Sequence, residues 1–170
     1  MKSSKNIVFL GMMGSGKTSI GFLVSKKLGL DFYDVDNYIE KKLNMKISEL
    51  FQNKGEVFFR KEEEKITLDI LRKKKGIVAL GGGGFINRNI RNEVLKNHIS
   101  FWLKLDSDII LNRIKNSTKR PLAVNKTSNV LKKMIKERSK YYSKALFKVN
   151  CNNQTKKEVV NKILEIYEGY

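Results

Sequence analysis

Eight residues near the N-terminus, Gly11-Met12-Met13-Gly14-Ser15-Gly16-Lys17-Thr18, fit the pattern G-x-x-x-x-G-K-[ST] at every position. Glycines at 11, 14 and 16 let a chain turn tightly and aim successive N–H groups inward, and a following helix start adds partial positive charge. Such a loop holds polyphosphate largely by backbone. Lys17 is placed to reach β- and γ-phosphates, and the Thr18 hydroxyl suits Mg²⁺. The bland reading is a glycine turn entering an ordinary helix, and the flanks argue against it. Asn6-Ile7-Val8-Phe9-Leu10 reads as a buried strand, and residues 18–28 carry Ile20, Leu23, Val24 and Leu28 at helical spacing. Strand, glycine loop and helix come in the required order, so Gly11, Met13, Gly14, Ser15, Gly16, Lys17, Thr18 and Ser19 are the expected phosphate contacts.

Further along lie other groups able to do chemistry. Asp31-Phe32-Tyr33-Asp34-Val35-Asp36 alternates acidic and apolar residues as a short strand ending in carboxylates would. In an open α/β sheet that end faces the ligand crevice, and continued strand geometry would point Asp34 and Asp36 to one side. Gly81-Gly82-Gly83-Gly84 follows a second buried-strand candidate, Gly76-Ile77-Val78-Ala79-Leu80, again at the ligand edge. A ligand-facing turn explains four flexible residues there better than a plain connector. Arg60 has Glu64 four residues on, and spacing alone favours a surface ion pair worth a few tenths of a kcal/mol. Residues 116–127 form a polar stretch holding the sole proline, Pro121, with Lys119 and Arg120 where a lid would close on phosphates; an ordinary surface loop explains it equally well. Arg138 sits on or beside an apolar helix stripe, where a guanidinium needs an anionic partner.

These groups need a scaffold, and periodicity supplies one. Helices are expected around 38–43, 48–51 with Ser48 as a cap, 55–71, 88–96, 108–115, from 127 or 128 onward, and 156–167; strands are expected at 99–103 and 145–149. Phe59, Glu63, Ile66 and Ile70 share one stripe of the third of these helices, and Val130, Met134, Ile135, Tyr141 and Tyr142 form the apolar face of the sixth. Five short strands alternating with helices imply a parallel α/β sheet flanked on both faces, a three-layer sandwich. The 170 residues make a single domain, 1–170, with a substrate-binding helical segment about 36–61 and a lid about 114–127.

Composition narrows the partners. A hydrophobic fraction of 41% and a charged fraction of 31% suit a soluble protein, and the apolar runs are too short to cross a bilayer. The start of the chain has no apolar signal region, and one cysteine, Cys151, cannot build a disulfide framework; both suit a reducing cytoplasm. Neither Cys151 nor the sole histidine, His98, is assigned chemistry. The net charge of +18 comes mostly from lysines interspersed with acids, as in Lys61-Glu62-Glu63-Glu64-Lys65, without an aromatic-interleaved basic strip. That pattern favours small anions over nucleic acid or a membrane, and a monomer is expected.

Taken together, the motifs resemble the shikimate kinase family of P-loop NTPases with the nucleoside-monophosphate-kinase-like fold, over nearly the whole chain. The carriers are the phosphate loop, Phe32-Tyr33-Asp34-Val35-Asp36 as F-x-D-x-D, Gly55 to Arg60 as G-E-x-x-F-R, the glycines from Gly81, Arg120-Pro121-Leu122, and Arg138 with Tyr142 as R-x-x-x-Y. The resemblance implies ATP and Mg²⁺ as cofactors and phosphorylation of the shikimate 3-hydroxyl. Asp34 and Thr18 would hold the metal, and Asp36 would bind the hydroxyls and accept the proton. Arg60 and Arg138 would grip the carboxylate, Gly82 and Gly83 would add backbone contacts, Arg113 would stack on adenine, and Arg120 would join Lys17 at the phosphates. The loop from Asn150 to Thr155 departs from the basic and proline residues often found there. A gluconate kinase would share the phosphate loop but lack Asp36, Arg60 and Arg138 as a set; a non-catalytic or nucleic-acid-binding P-loop module is the more remote alternative.

Overall fold

The computed structural model describes residues 5–115 and 127–170. Five parallel strands stand in the order β2-β3-β1-β4-β5: β1 (Ile7–Leu10), β2 (Phe32–Asp34), β3 (Ile77–Ala79), β4 (Ile99–Lys104) and β5 (Phe147–Asn150). Helices cover both faces, so the central strands read as unbroken apolar runs rather than alternating ones. All four residues of β1 are buried, with Ile7 aligned to Ile77 on one side and Ile99 on the other.

Seven α-helices among the described residues connect and cover the strands: α1 (Lys17–Leu28), α2 (Val35–Leu43), α3 (Ile47–Lys73), α4 (Arg88–Asn97), α5 (Ser107–Lys115), α6 (Ser128–Tyr142) and α7 (Lys156–Glu168). None is long and apolar enough to cross a membrane. Three segments that carry candidate site residues leave the carboxyl edge of a strand: the phosphate loop after β1, Asp34 at the end of β2 and the glycine run after β3.

Several elements differ from the sequence expectation for identifiable reasons. The second strand stops at Asp34 instead of running to 36, because the Asp34 side chain accepts the Asn37 N–H at 3.1 Å and caps α2. Ser48 is not a cap. The start of α3 is secured by Glu49, which accepts the Lys46 N–H at 2.9 Å, and by Glu40, which accepts the Ile47 N–H at 3.0 Å. The two helices expected on either side of residue 55 form one α3 broken at Gly55, whose φ of 82° no helix contains. On α6 the buried residues are Leu131, Ile135 and Tyr142, whereas Val130 lies 49% exposed, one position off the expected face. Thr127 caps α6 by accepting the Val130 N–H. Ile114 and Lys115, expected at the start of the lid, complete α5; residues 116–126 lie outside the described residues.

Candidate active site

The phosphate loop joins β1 to α1 over Gly11–Gly16 and is fixed by its own backbone. Gly16 precedes α1 with φ 95° and ψ 11°, a left-handed conformation that glycine alone adopts freely. The Ser15 N–H closes a turn onto the Met12 carbonyl at 3.1 Å. Lys17 is nearly buried, and its ammonium donates to the Gly11 and Met12 carbonyls at 2.8 and 2.9 Å. Thr18 is exposed and donates its hydroxyl to Asp34 Oδ2 at 2.6 Å, while Asp34 Oδ1 carries the cap of α2. Met13, Lys17, Thr18, Asp34, Asp36 and Gly82 border one open cavity of about 460 Å³. Nucleotide-loop and acceptor-side residues therefore share a single space.

Opposite the loop, side chains from α2, α3 and α6 converge on the glycine run. A Cβ on Gly81 would lie 2.6 Å from Asp36 Oδ1 and 2.9 Å from Glu63 Oε1; one on Gly83 would lie 2.5 Å from Arg60 Nη1. A Cβ on Gly82 would fall 3.5 Å from Arg138 Nη1 and 3.4 Å from the Met13 nitrogen. Any side chain at 81 or 83 would displace an acid or an arginine, which is the physical reason for glycine there. Burial, with repulsion from Asp34 and Glu63, pushes the Asp36 carboxyl up to about 6, against the pull of Lys17 and Arg60. Arg60 donates to Glu63 Oε2 at 2.6 Å and to Glu56 Oε1 at 3.3 Å, and its guanidinium stands 5.1 Å from the Phe59 ring centre. Arg138 and Tyr142 share a face of α6 at i, i+4 spacing, and the Tyr142 hydroxyl donates to the Gly82 carbonyl at 2.5 Å.

The structure brings Asp34, Asp36, Arg60, Gly82, Gly83 and Arg138 near the phosphate loop; for Arg60 this differs from the surface position that spacing alone favoured. The expected Arg60–Glu64 pair is replaced: Arg60 takes Glu63 and Glu56, while Glu64 accepts from Asn87 at 2.6 Å and Asn89 at 2.7 Å. A surface pairing would have spent Arg60 on solvent, whereas α3 turns it inward. Arg113 donates to the Gly14 carbonyl at 3.0 Å and borders a second cavity of about 110 Å³ with Ser15, Ser19, Cys151 and Gln154. Cys151 is buried there and its thiol is pushed up to about 11, which agrees with giving it no nucleophilic part. Arg120 and Pro121 lie outside the described residues.

One residue, Glu63, was missed. Glu63 read as one polar interruption of an apolar stripe, yet it is 2% exposed and anchors Arg60. An acid inside an apolar stripe, three residues after an arginine, was the available signal. Tyr142 was expected both on the apolar face of this helix and in the R-x-x-x-Y motif with Arg138, and the structure adds its hydrogen bond to the Gly82 carbonyl.

A three-layer parallel sheet, a phosphate loop at one strand end, and a facing pocket of acids and arginines define a P-loop kinase of a small anionic acceptor. A model of the family described as "Shikimate kinase" matches residues 13–168. The chain is 41% identical over 165 residues to the shikimate kinase of Thermodesulfovibrio yellowstonii, covering 96% of this chain and 95% of that one. It is likewise 41% identical over 169 residues to the Bacillus subtilis shikimate kinase, covering 95% and 88% of the two chains. Among solved structures, it superposes on Acinetobacter baumannii shikimate kinase in complex with shikimate with a TM-score of 0.92 and 28% identity, over 99% of this chain and 95% of that one. A deoxyadenosine kinase of M. mycoides, at 17% identity and a TM-score of 0.67 over 96% of this chain and 99% of that one, shares the fold. The chain belongs to the shikimate kinase family.

Proposed function

We propose that the chain transfers the γ-phosphoryl group of ATP to the 3-hydroxyl of shikimate, as a single kinase unit acting as a cytoplasmic monomer on small molecules. The observation that carries this reading is the convergence of Asp36, Arg60 and Arg138 on one glycine turn facing the phosphate loop. Two guanidinium groups suit a carboxylate substrate, which they hold by charge-assisted hydrogen bonds. An acceptor hydroxyl needs a carboxylate to orient it and take its proton, and Asp36 stands where both requirements meet. Lys17 offsets charge on the transferred group, and Arg120 is assigned to the same task from the lid. Arg113 and the second cavity serve the nucleobase side.

The donor set at Thr18 and Asp34 fits Mg²⁺: both offer oxygen, they lie 2.6 Å apart, and they border the phosphate cavity. Among the described residues no group of three or more acids, histidines or cysteines is arranged for a metal ion, which suits a cation that takes one or two protein oxygens and completes its shell with water and phosphate. When bound, Mg²⁺ would offset negative charge on the nucleotide phosphates.

A coupled assay of ADP release tests the reading. ATP with shikimate is expected to give turnover, and ATP with gluconate none; the reverse would mean a different acceptor.

A further inference from the structure

We propose that Tyr142 is a positioning residue that locks the Gly82–Gly83 peptide in one of its two orientations, and thereby sets the affinity for the acceptor substrate. The proposal rests on the shikimate reading of the pocket. Gly81 to Gly84 form a four-residue turn closed by the Gly84 N–H on the Gly81 carbonyl at 3.0 Å. Gly83, with φ −93° and ψ −16°, occupies the second central position of a type I turn. A type II turn has the same ends, but its central peptide is rotated by roughly half a turn and needs positive φ at that second position. Glycine accepts positive φ without steric strain, so a turn with glycine at both central positions has no local preference strong enough to choose.

Tertiary structure supplies the choice. The Tyr142 hydroxyl donates to the Gly82 carbonyl at 2.5 Å and lies 3.7 Å from Met12 Sδ. The residue is 1% exposed, with its ring 6.1 Å from Trp102 centre to centre, so the phenol cannot follow a moving carbonyl. Burial pushes its ionisation up to about 12, and it remains a donor throughout the physiological range. Because a trans peptide is planar, fixing the Gly82 carbonyl against Tyr142 turns the Gly83 N–H the opposite way, out of the interior. A flipped peptide would bury that N–H against the phenol and turn a carbonyl oxygen outward. The turn sits between the Arg60 and Arg138 guanidinium groups, and an anion arriving between them would then meet an acceptor where it had met a donor.

Tyr142→Phe keeps the ring and removes the donor. The expected result is a shikimate KM raised roughly tenfold, the value of one lost hydrogen bond, with the ATP KM within about twofold and kcat within about threefold of the unaltered protein. A shikimate KM within about twofold of the unaltered protein would overturn the lock, as would equal losses for both substrates together with a fallen Tm, the mark of simple packing damage. Should the variant not fold, relaxation dispersion on the unaltered protein decides. A locked peptide gives single Gly82 and Gly83 amide resonances without microsecond-to-millisecond exchange, and exchange at both would show a peptide free to flip. If the unaltered protein turns over no shikimate, the proposed function fails by itself, and the amide measurement still decides the lock.

Discussion

The proposed phosphate side of the crevice comes from one run of consecutive residues, Gly11 to Thr18, and offers mostly backbone groups, whereas the proposed acceptor side gathers Asp36, Arg60, Gly82, Gly83 and Arg138 from separate elements. The first is fixed by local rules: where glycine must stand, where a helix must begin. The second holds its shape through tertiary contacts, with Phe59, Ile66 and Ile70 burying one side of α3 so that Arg60 and Glu63 point at the turn. The two halves also differ in electrostatic ease. Lys17 rests on carbonyls, while Asp36 is an enclosed acid crowded by Asp34 and Glu63. In the proposed reading, acceptor recognition draws mainly on side chains gathered from separate elements, and nucleotide binding mainly on consecutive main-chain groups.

The sharpest separation of the two halves is Asp36→Asn. Turnover is expected to fall by about 10²–10⁴, the usual worth of a general base, with ADP affinity within about threefold in a calorimetric titration. A comparable loss of ADP binding would break the division. Arg60→Ala and Arg138→Ala come next. Each is expected to raise the shikimate KM by about 10- to 150-fold, for the roughly 1.5 to 3 kcal/mol of a charge-assisted contact, and to spare the ATP KM. Unchanged shikimate KM in both variants would remove the carboxylate clamp. The crowding of Asp36 has a thermal signature too. Neutral asparagine relieves the buried charge, so Asp36→Asn is expected to melt higher than the unaltered protein by a few °C, as stability rises when active-site strain is removed. A lower Tm would mean that Asp36 is held comfortably.

The smallest effect lies at the far edge of the sheet and serves as a control. His98 Nδ1 accepts the Asn6 N–H at 3.3 Å, and Nε2 stands 3.8 Å from Glu93 Oε1. Burial, together with Lys5, lowers its pKa below the ordinary value of about 6.5, and Glu93 pulls the other way without prevailing. With the folded pKa lower than the unfolded one, the stabilising contribution is complete above about 6.5 and is lost as pH falls toward the folded pKa. Between about pH 7.5 and 5.5 His98 pulls Tm down as pH falls while the raised Asp36 pulls it up, so the His98 part is read as a difference: Tm of His98→Gln is expected to fall less, or rise more, than that of the unaltered protein over this window, without altering shikimate KM. An equal slope in both proteins would show that His98 does not titrate differently on folding.

Legibility in the sequence followed the same division. The alternation of strands and helices, the phosphate loop and the glycine turn were readable because each depends on neighbours in the chain. Arg60 was not readable on spacing alone: i, i+4 geometry favoured Glu64, and only the packed orientation of α3 shows that Glu63 and Glu56 hold it. The resemblance assigned Arg60 to the substrate carboxylate but offered no account of what fixes it beside Gly83. Likewise the end of β2 was hidden, since apolar alternation continues to Val35 while the capping preference of Asp34 wins.

That aspartate has a consequence for which replacements the position tolerates. One oxygen of Asp34 is committed to ending a strand and starting a helix, and the other faces Thr18. Glutamate would carry its carboxylate one methylene past the cap. Asparagine would retain the cap and could donate to the Thr18 hydroxyl, but it would replace with an amide nitrogen the carboxylate oxygen that the proposed Mg²⁺ site needs. Among the acids and amides, then, only aspartate serves the cap and the proposed metal at once, so a fold requirement and a proposed ligand requirement rest on the two oxygens of one side chain.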